Sequence, residues 1–167
     1  MKRVYKYLTI GLCLVLLGCG AYSFTGVQNI DAETFQVNYF QNNAALIEPE
    51  LDREFTLALQ NLIQNQTNLS LVNSGGDLTY EGEITEYRIS PTTATADSRA
   101  AQNRLSVSVN VRFFHKNDEE QDFEERFSFF YDFEGDTQLI GSERDTAWEE
   151  IFERLTQDIF NRSLANW

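Results

Sequence analysis

The chain has 167 residues, with 26 acidic against 13 basic side chains and a formal net charge of −13 at pH 7. A surface this acidic repels nucleic acid and anionic lipid headgroups except where a local basic patch forms, which excludes a broad nucleic-acid or anionic-membrane interface. The two cysteines, Cys13 and Cys19, lie close together near the N-terminus and leave the rest of the chain without a thiol, so stability has to come from an apolar core, supplied here by 13 Phe, 7 Tyr and 2 Trp.

Residues 1–18 read as a targeting segment. Lys2, Arg3 and Lys6 form a basic start, and Tyr7 to Leu17 is an apolar run. A helix needs about 20 apolar residues to cross a bilayer, so this run is too short to span one and instead has the pattern of a cleaved secretory signal. Leu16-Leu17-Gly18-Cys19 resembles the bacterial lipoprotein signal. That resemblance implies cleavage before Cys19, with diacylglycerol and an N-acyl chain such as palmitate carried on Cys19. Acyl chains hold a protein to a membrane at about 0.8 kcal/mol per buried CH₂ group, and several chains on one residue make the anchoring stable. Gly20, in place of the Asp associated with inner-membrane retention, fits export to the outer membrane, and the lack of an acidic cluster after Cys19 favours its periplasmic side. The alternative is an ordinary signal peptide with a chance cysteine. Loss of residues 1–18 removes three basic residues and no acid, making the remainder still more acidic.

Residues 19–33 are expected to be a lipidated tether, and 34–167 a single domain. Within the tether, Ala21 to Gly26 is short and aromatic. Thr34 to Phe40 alternates as a strand, with Phe35, Val37 and Tyr39 on one face, and Gln41-Asn42-Asn43 is expected to turn the chain. Glu48-Pro49-Glu50 reads as a helix start, with proline at the first helical position and acids suited to the helix dipole. Leu51, Phe55, Leu59 and Leu62 recur at helical spacing, predicting a helix over about 49–66. Leu69 to Val72 is a short extended piece, followed by a turn at Asn73-Ser74-Gly75-Gly76-Asp77.

Three longer strands follow. Leu78, Tyr80, Gly82 and Ile84 alternate with polar residues until Pro91, which is expected to end or kink the strand. Residues 91–103 are small and polar and predict a loop. Leu105, Val107, Val109, Val111 and Phe113 alternate with Arg104, Ser106, Ser108, Asn110 and Arg112. After a charged tip at 116–120, Phe123, Phe127, Phe129, Tyr131 and Phe133 share one strand face, with Phe130 as the exception on the other. Finally Trp148, Ile151, Phe152, Leu155, Ile159 and Phe160 form a helical stripe, capped by Ser142 or Asp145. Two amphipathic helices and a run of one-sided strands predict an α+β fold: a two-layer sandwich with both helices on one face of a mostly antiparallel sheet of about four strands. The opposite face, rich in Ser, Asn and Arg, is left to water or a wet partner.

Catalytic patterns are missing from this sequence. His115 is the only histidine, and its place at a strand end beside a charged tip predicts a surface histidine. With Cys19 acylated, a metal site would rest on His115 and carboxylates alone, so neither a metal nor a cofactor is expected. There is no Gly-x-Ser-x-Gly elbow and no phosphate-binding glycine loop. The acid pairs at 118–120, 124–125 and 149–150 read as solvated surface, so the chain is expected not to be an enzyme. The scarce basic residues Arg88, Arg99, Arg104 and Arg112 fall on two neighbouring strands and the loop between them. Such a group can bind phosphate or carboxylate bidentately. The competing reading is cross-strand pairing with acids such as Glu86 and Glu124.

Taken in order, Cys19–Gly26, Val37–Asn42, Glu83–Arg88, Gln102–Arg112 and Asp158–Trp167 resemble the LptE family of lipopolysaccharide-assembly lipoproteins. The likeness lies in the ensemble of stretches and covers essentially all of 19–167. It implies two helices on a mostly antiparallel sheet, a place at the periplasmic face of the outer membrane, and a large β-barrel partner, LptD, which the protein plugs and helps to assemble as lipopolysaccharide is delivered to the outer leaflet. Cys19 is the one functional residue that transfers directly. Arg88, Arg99, Arg104 and Arg112 are candidate contacts to lipopolysaccharide or the partner. The alternative to this role is a solitary periplasmic binding lipoprotein or a secretion-channel pilot protein of the same fold.

Overall fold

The computed structural model describes residues 30–92, 102–135 and 138–165. Six strands and two helices follow one another as β1 (Thr34–Val37), β2 (Gln41–Asn42), α1 (Leu51–Gln66), β3 (Ser70–Leu71), β4 (Leu78–Thr92), β5 (Gln102–His115), β6 (Phe123–Glu134) and α2 (Ser142–Leu164). The sheet order is β3-β1-β4-β5-β6, and β2 also pairs with β4. The α+β class and the two-layer arrangement are as expected, but the sheet has more strands and is mixed. The long β4–β5 and β5–β6 ladders are antiparallel, whereas β1 runs parallel to β3 and β4, and β2 runs parallel to β4. The parallel pairs follow from the connection: a strand rejoining its sheet after a helix such as α1 can return in the same direction, which a tight turn does not permit.

The start of the domain departs from simple alternation. Phe35 and Val37 are buried as expected, but Tyr39 is 55% exposed and Phe40 is fully buried. The reason is an interruption between β1 and β2, which lie in succession along the same edge of β4. β1 pairs with residues 78–80 and β2 with 83–84, and the Asn38 amide donates to the Tyr80 carbonyl (2.8 Å) between them. Residues 41–42 therefore form a strand where a turn was expected.

Helix α1 buries Leu51, Phe55, Leu59 and Ile63, one residue every four. Pro49 lies outside it, in the turn before. Glu50 is the N-terminal flanking residue and has φ +69°, with no side-chain cap. A non-glycine residue in this left-handed region costs roughly 1 kcal/mol. Glu50→Gly should therefore stabilise the protein by about 0.5–1 kcal/mol in urea unfolding, because the ion pair with Arg53 that it gives up is largely exposed and worth little.

Helix α2 also starts without the expected cap. Gly141, in a φ +56°, ψ −131° conformation that favours glycine, flanks Ser142, and the Asp145 amide donates to the Gly141 carbonyl at 3.0 Å. Its apolar stripe is as read from the spacing: Trp148, Ile151, Phe152, Leu155, Ile159 and Phe160 are all buried. The Tyr80 hydroxyl, buried on the helix side of the sheet, bonds Ser163 Oγ at 2.9 Å, and Ser163 in turn donates to the Ile159 carbonyl. This ties the sheet to the last turn of α2 through satisfied polar atoms. Burial raises the Tyr80 pKa.

The β4 alternation changes parity. A register irregularity between Ile84 and Glu86 turns Tyr87 inward and Glu86 outward, as an inserted residue does in a bulge. Pro91 does not end the strand, since it pairs opposite Asn103 and β4 runs on to Thr92. Proline is tolerated where a strand edge is open, and past Ile84 β4 pairs with β5 alone among the described residues. β4 and β5 thus take in residues 91–92 and 102–103 of the predicted loop, and residues 93–101 lie outside the described residues together with the targeting segment and most of the tether. No helix among the described residues is long and apolar enough to cross a membrane.

Candidate partner-binding face

With both helices packed on one side, the opposite face of β4, β5 and β6 is left uncovered by any helix among the described residues. The strand register places its side chains in cross-strand rows: Glu81, Arg112 and Glu124; Glu83, Asn110 and Arg126; Glu86, Ser108 and Ser128; Arg88, Ser106 and Phe130; Ser90, Arg104 and Asp132. Each row follows from the period of two along the strands, corrected for the β4 irregularity.

Each described arginine of these rows meets an acid of the same face. Arg112 Nε bonds Glu81 Oε1 at 3.1 Å. Arg104 makes a two-point contact with Asp132, Nε to Oδ1 at 2.7 Å and Nη2 to Oδ2 at 2.8 Å, and its guanidinium lies 3.6 Å from the centre of the half-exposed Phe130 ring. Arg88 Nε bonds Glu86 Oε1 at 2.9 Å. The cross-strand pairing weighed against anion binding is what the arrangement shows for Arg104 and Arg112, through Asp132 and Glu81, whereas Arg88 pairs along its own strand with Glu86. Glu124 is engaged by Asn110 instead, at 2.8 Å. Arg99 lies outside the described residues.

Glu86, expected from the sequence as a pairing acid, is the hub of the face. Its Oε2 accepts from Arg126 Nη2 (2.7 Å) and from Ser108 Oγ (3.1 Å). Ser108, almost fully buried despite lying on the open face, also shares a 2.8 Å bond with Ser128 Oγ. A signal for this hub was present: the apolar parity moves from even positions (Leu78, Tyr80, Ile84) to odd ones (Tyr87, Ile89), which requires an extra residue between them and turns Glu86 outward.

The Arg88 hydrogen bond, assisted by Ser108, holds the Glu86 carboxyl below the usual range, and Arg104 does the same for Asp132. At the edge of the sheet Asp77 is lowered by bonds from the Thr34 hydroxyl and from the Glu33 and Thr34 amides. Lowered folded pKa values give stability that is present above the ordinary carboxylate values of 3.8 and 4.5 and is lost as pH falls through the lowered ones. Urea unfolding across acid pH should therefore show stability dropping below about pH 4.5, and Glu86→Gln should flatten that slope. An unchanged slope in the variant would contradict this assignment.

His115 is a correction to the surface histidine expected from its position. It is 3% exposed. Its amide donates to Asp122 Oδ1 (2.7 Å), its Nδ1 accepts from the Asn117 amide (3.3 Å), and its ring meets Phe113 edge-on. It closes the β5–β6 turn from inside, because its strand position has the inward parity of Phe113.

Chemically, the open face is a polar, hydrogen-bonding surface whose described arginines are all paired with its own carboxylates. An anion reaching its guanidiniums has to displace carboxylates already in place, whereas a polar, wet partner surface can dock without leaving a buried charge unmatched.

A family model described as lipopolysaccharide-assembly, LptE, matches residues 32–163. No curated protein matches the sequence. Among solved structures, a hypothetical protein from Chlamydia trachomatis superposes with a TM-score of 0.54 at 12% identity, covering 81% of this chain and 99% of that one. A protein from Xanthomonas campestris gives 0.54 at 8% identity, covering 83% and 86%. Lipoprotein B from Nitrosomonas europaea gives 0.49 at 15% identity, covering 85% and 87%. At these identities the first two show a shared fold and nothing of shared chemistry.

Proposed function

The chain belongs to the LptE family of lipopolysaccharide-assembly proteins, and from that membership we propose that it is a non-enzymatic, lipid-anchored subunit of the outer-membrane lipopolysaccharide translocon. In this reading Cys19 carries the acyl anchor and holds the domain at the periplasmic face of the outer membrane. The domain pairs with the β-barrel LptD, plugs its lumen and supports its assembly, so that lipopolysaccharide passes to the outer leaflet.

The observation that carries this reading is the open polar face. Its arginines and acids satisfy one another across β4, β5 and β6, and a barrel lumen is lined by polar residues and water. A plug with such a face brings its four described arginines into the lumen already paired, and water bridges supply the remaining contacts. Arg88, Arg104 and Arg112, together with Arg99, which falls between them in the sequence, remain the proposed contacts for lipopolysaccharide phosphate or for acids of the partner. Either ligand would exchange with the present carboxylates.

The test is gentle detergent extraction of native outer membranes with a C-terminal tag on this chain. One large β-barrel recovered in fixed ratio is the expected result. Recovery of the chain alone, with the barrel intact elsewhere in the same extract, would overturn the proposal and leave a solitary binding lipoprotein. Cys19→Ala should shift the protein from the membrane to the soluble fraction if Cys19 is the anchor.

A further inference from the structure

On the other side of the molecule, the outer surfaces of α1 and α2 enclose an open groove of about 910 Å³. Its floor is apolar: Ala58 and Leu62 from α1, and Trp148 and Phe152 from α2, with the 40%-exposed Leu57 on the lip. Its rims are acidic. Asp145, Glu149 and Glu153 stand at successive four-residue steps along α2, and Glu50 and Glu54 stand at the same spacing on the α1 side.

Like charges four apart on a helix repel one another and weaken it. Asp145 is in the first turn, where the helix dipole favours an acid, but Glu149 and Glu153 lie beyond it. Among the described residues neither has an ion-pair partner. Among the described residues the one cation lining the groove, Arg144, lies over Trp148 and is already shared between Asp145 (3.0 Å) and Glu48 (3.5 Å), while Arg53 beside the groove holds Glu50 (3.0 Å) and Glu54 (2.7 Å). The fold therefore gains no ion pair from Glu149 and Glu153, which border apolar side chains that a partner can cover.

We propose that this groove docks a cationic amphipathic segment of a partner protein, with an apolar stripe on the Leu62–Phe152 floor and lysines or arginines reaching Glu149 and Glu153. Charge selects this occupant over the others. A second copy would bring a net charge of −13 against the acid rows. An anionic lipid surface is repelled for the same reason. Residues 20–29 of the chain itself contain no basic side chain. The inference concerns the helical side of the domain and does not depend on the barrel pairing proposed for the sheet side.

The probe is a labelled Leu/Lys amphipathic peptide of about 15 residues, matched in length to α1. A Leu/Glu peptide of the same pattern is its control. Binding to the acylated protein in a neutral detergent is read by fluorescence anisotropy against micelles alone. The Leu/Lys peptide should bind and the Leu/Glu peptide should not. Glu149→Lys with Glu153→Lys should weaken binding by about tenfold or more, whereas Glu119→Lys with Glu120→Lys, an equal charge change at the β5–β6 turn, should leave it within about twofold. Leu57→Asp, at an exposed position, should weaken it as well while leaving the thermal melt unchanged. Equal loss in the two double variants would reduce the effect to net charge and overturn the proposal. So would self-association, detected by sedimentation, that disappears with Glu149→Lys and Glu153→Lys. Co-purification of the barrel is a separate readout, so either proposal can fail without the other.

Discussion

Replacing Gly82 with alanine should destabilise the protein by about 3 kcal/mol or more, at the upper end for a single methyl group. A Cβ at this position of β4 would be driven into the Asn110 carbonyl oxygen of β5 and would come within 2.8 Å of Phe40 Cε1. Neither neighbour can give way cheaply. Asn110 lies between Val109 and Val111, both fully buried, and Phe40 is itself fully buried. At about 2–4 °C per kcal/mol for a domain of this size, the melting temperature should fall by roughly 6–12 °C. Gly75→Ala is the informative contrast. Nothing lies within 4 Å of a Cβ there, but its φ of +71° penalises alanine, so the expected cost is only about 1 kcal/mol. Similar losses for the two variants would show that β5 can move away, and would contradict the close approach at Gly82.

Phe55→Ala is expected to cost about 3–5 kcal/mol by removing a fully buried ring and leaving a cavity. Phe55 stands at the junction of three parts of the fold. Its ring packs edge-on against Phe40, centroids 5.2 Å apart, and against Phe152 of α2 at 5.6 Å, while Phe152 continues to Trp148 at 5.8 Å. Edge-on pairs add about 0.5–1.5 kcal/mol each beyond area burial, so Phe55→Leu should recover only part of the loss. Leu57→Ala, two residues along on the exposed lip, should change stability by less than about 0.5 kcal/mol. Because Phe40 touches both Phe55 and the space over Gly82, Phe40→Ala and Phe55→Ala should combine non-additively in urea unfolding. Strict additivity would mean that the two rings contribute independently.

The clearest expectations concerned long segments with one dominant period. Leu105 to Phe113 alternates without exception and is β5, and Trp148 to Phe160 is the buried stripe of α2. The errors fall where a distant contact outweighs the local pattern. Tyr39 and Phe40 exchange sides because β1 breaks before β2 can pair with Glu83 and Ile84. Pro49 lies outside α1 because the turn before the helix ends at Glu50 with positive φ. His115 is buried by the closing β5–β6 turn, whose Asp122 and Asn117 bond it. The arginines of the candidate face were visible as a group, but their carboxylate partners were only partly so. Arg104 meets Asp132 across 28 positions and Arg126 meets Glu86 across 40, and only the strand register decides such pairs.

By itself the sequence determined what local periodicity and local chemistry can determine. Side-chain alternation set which face of each long strand is apolar, four-residue spacing set the two helices, and the charge balance excluded a broad anionic partner surface. Tertiary structure alone decided the strand order, the parallel return of β3 and β4 after α1, the carboxylate that each arginine meets, and the opposition of two acid rims across an apolar floor. These depend on pairing between residues far apart in the chain. Pairing is chosen by the total burial and hydrogen bonding of the assembled core, and no short window of sequence contains that quantity.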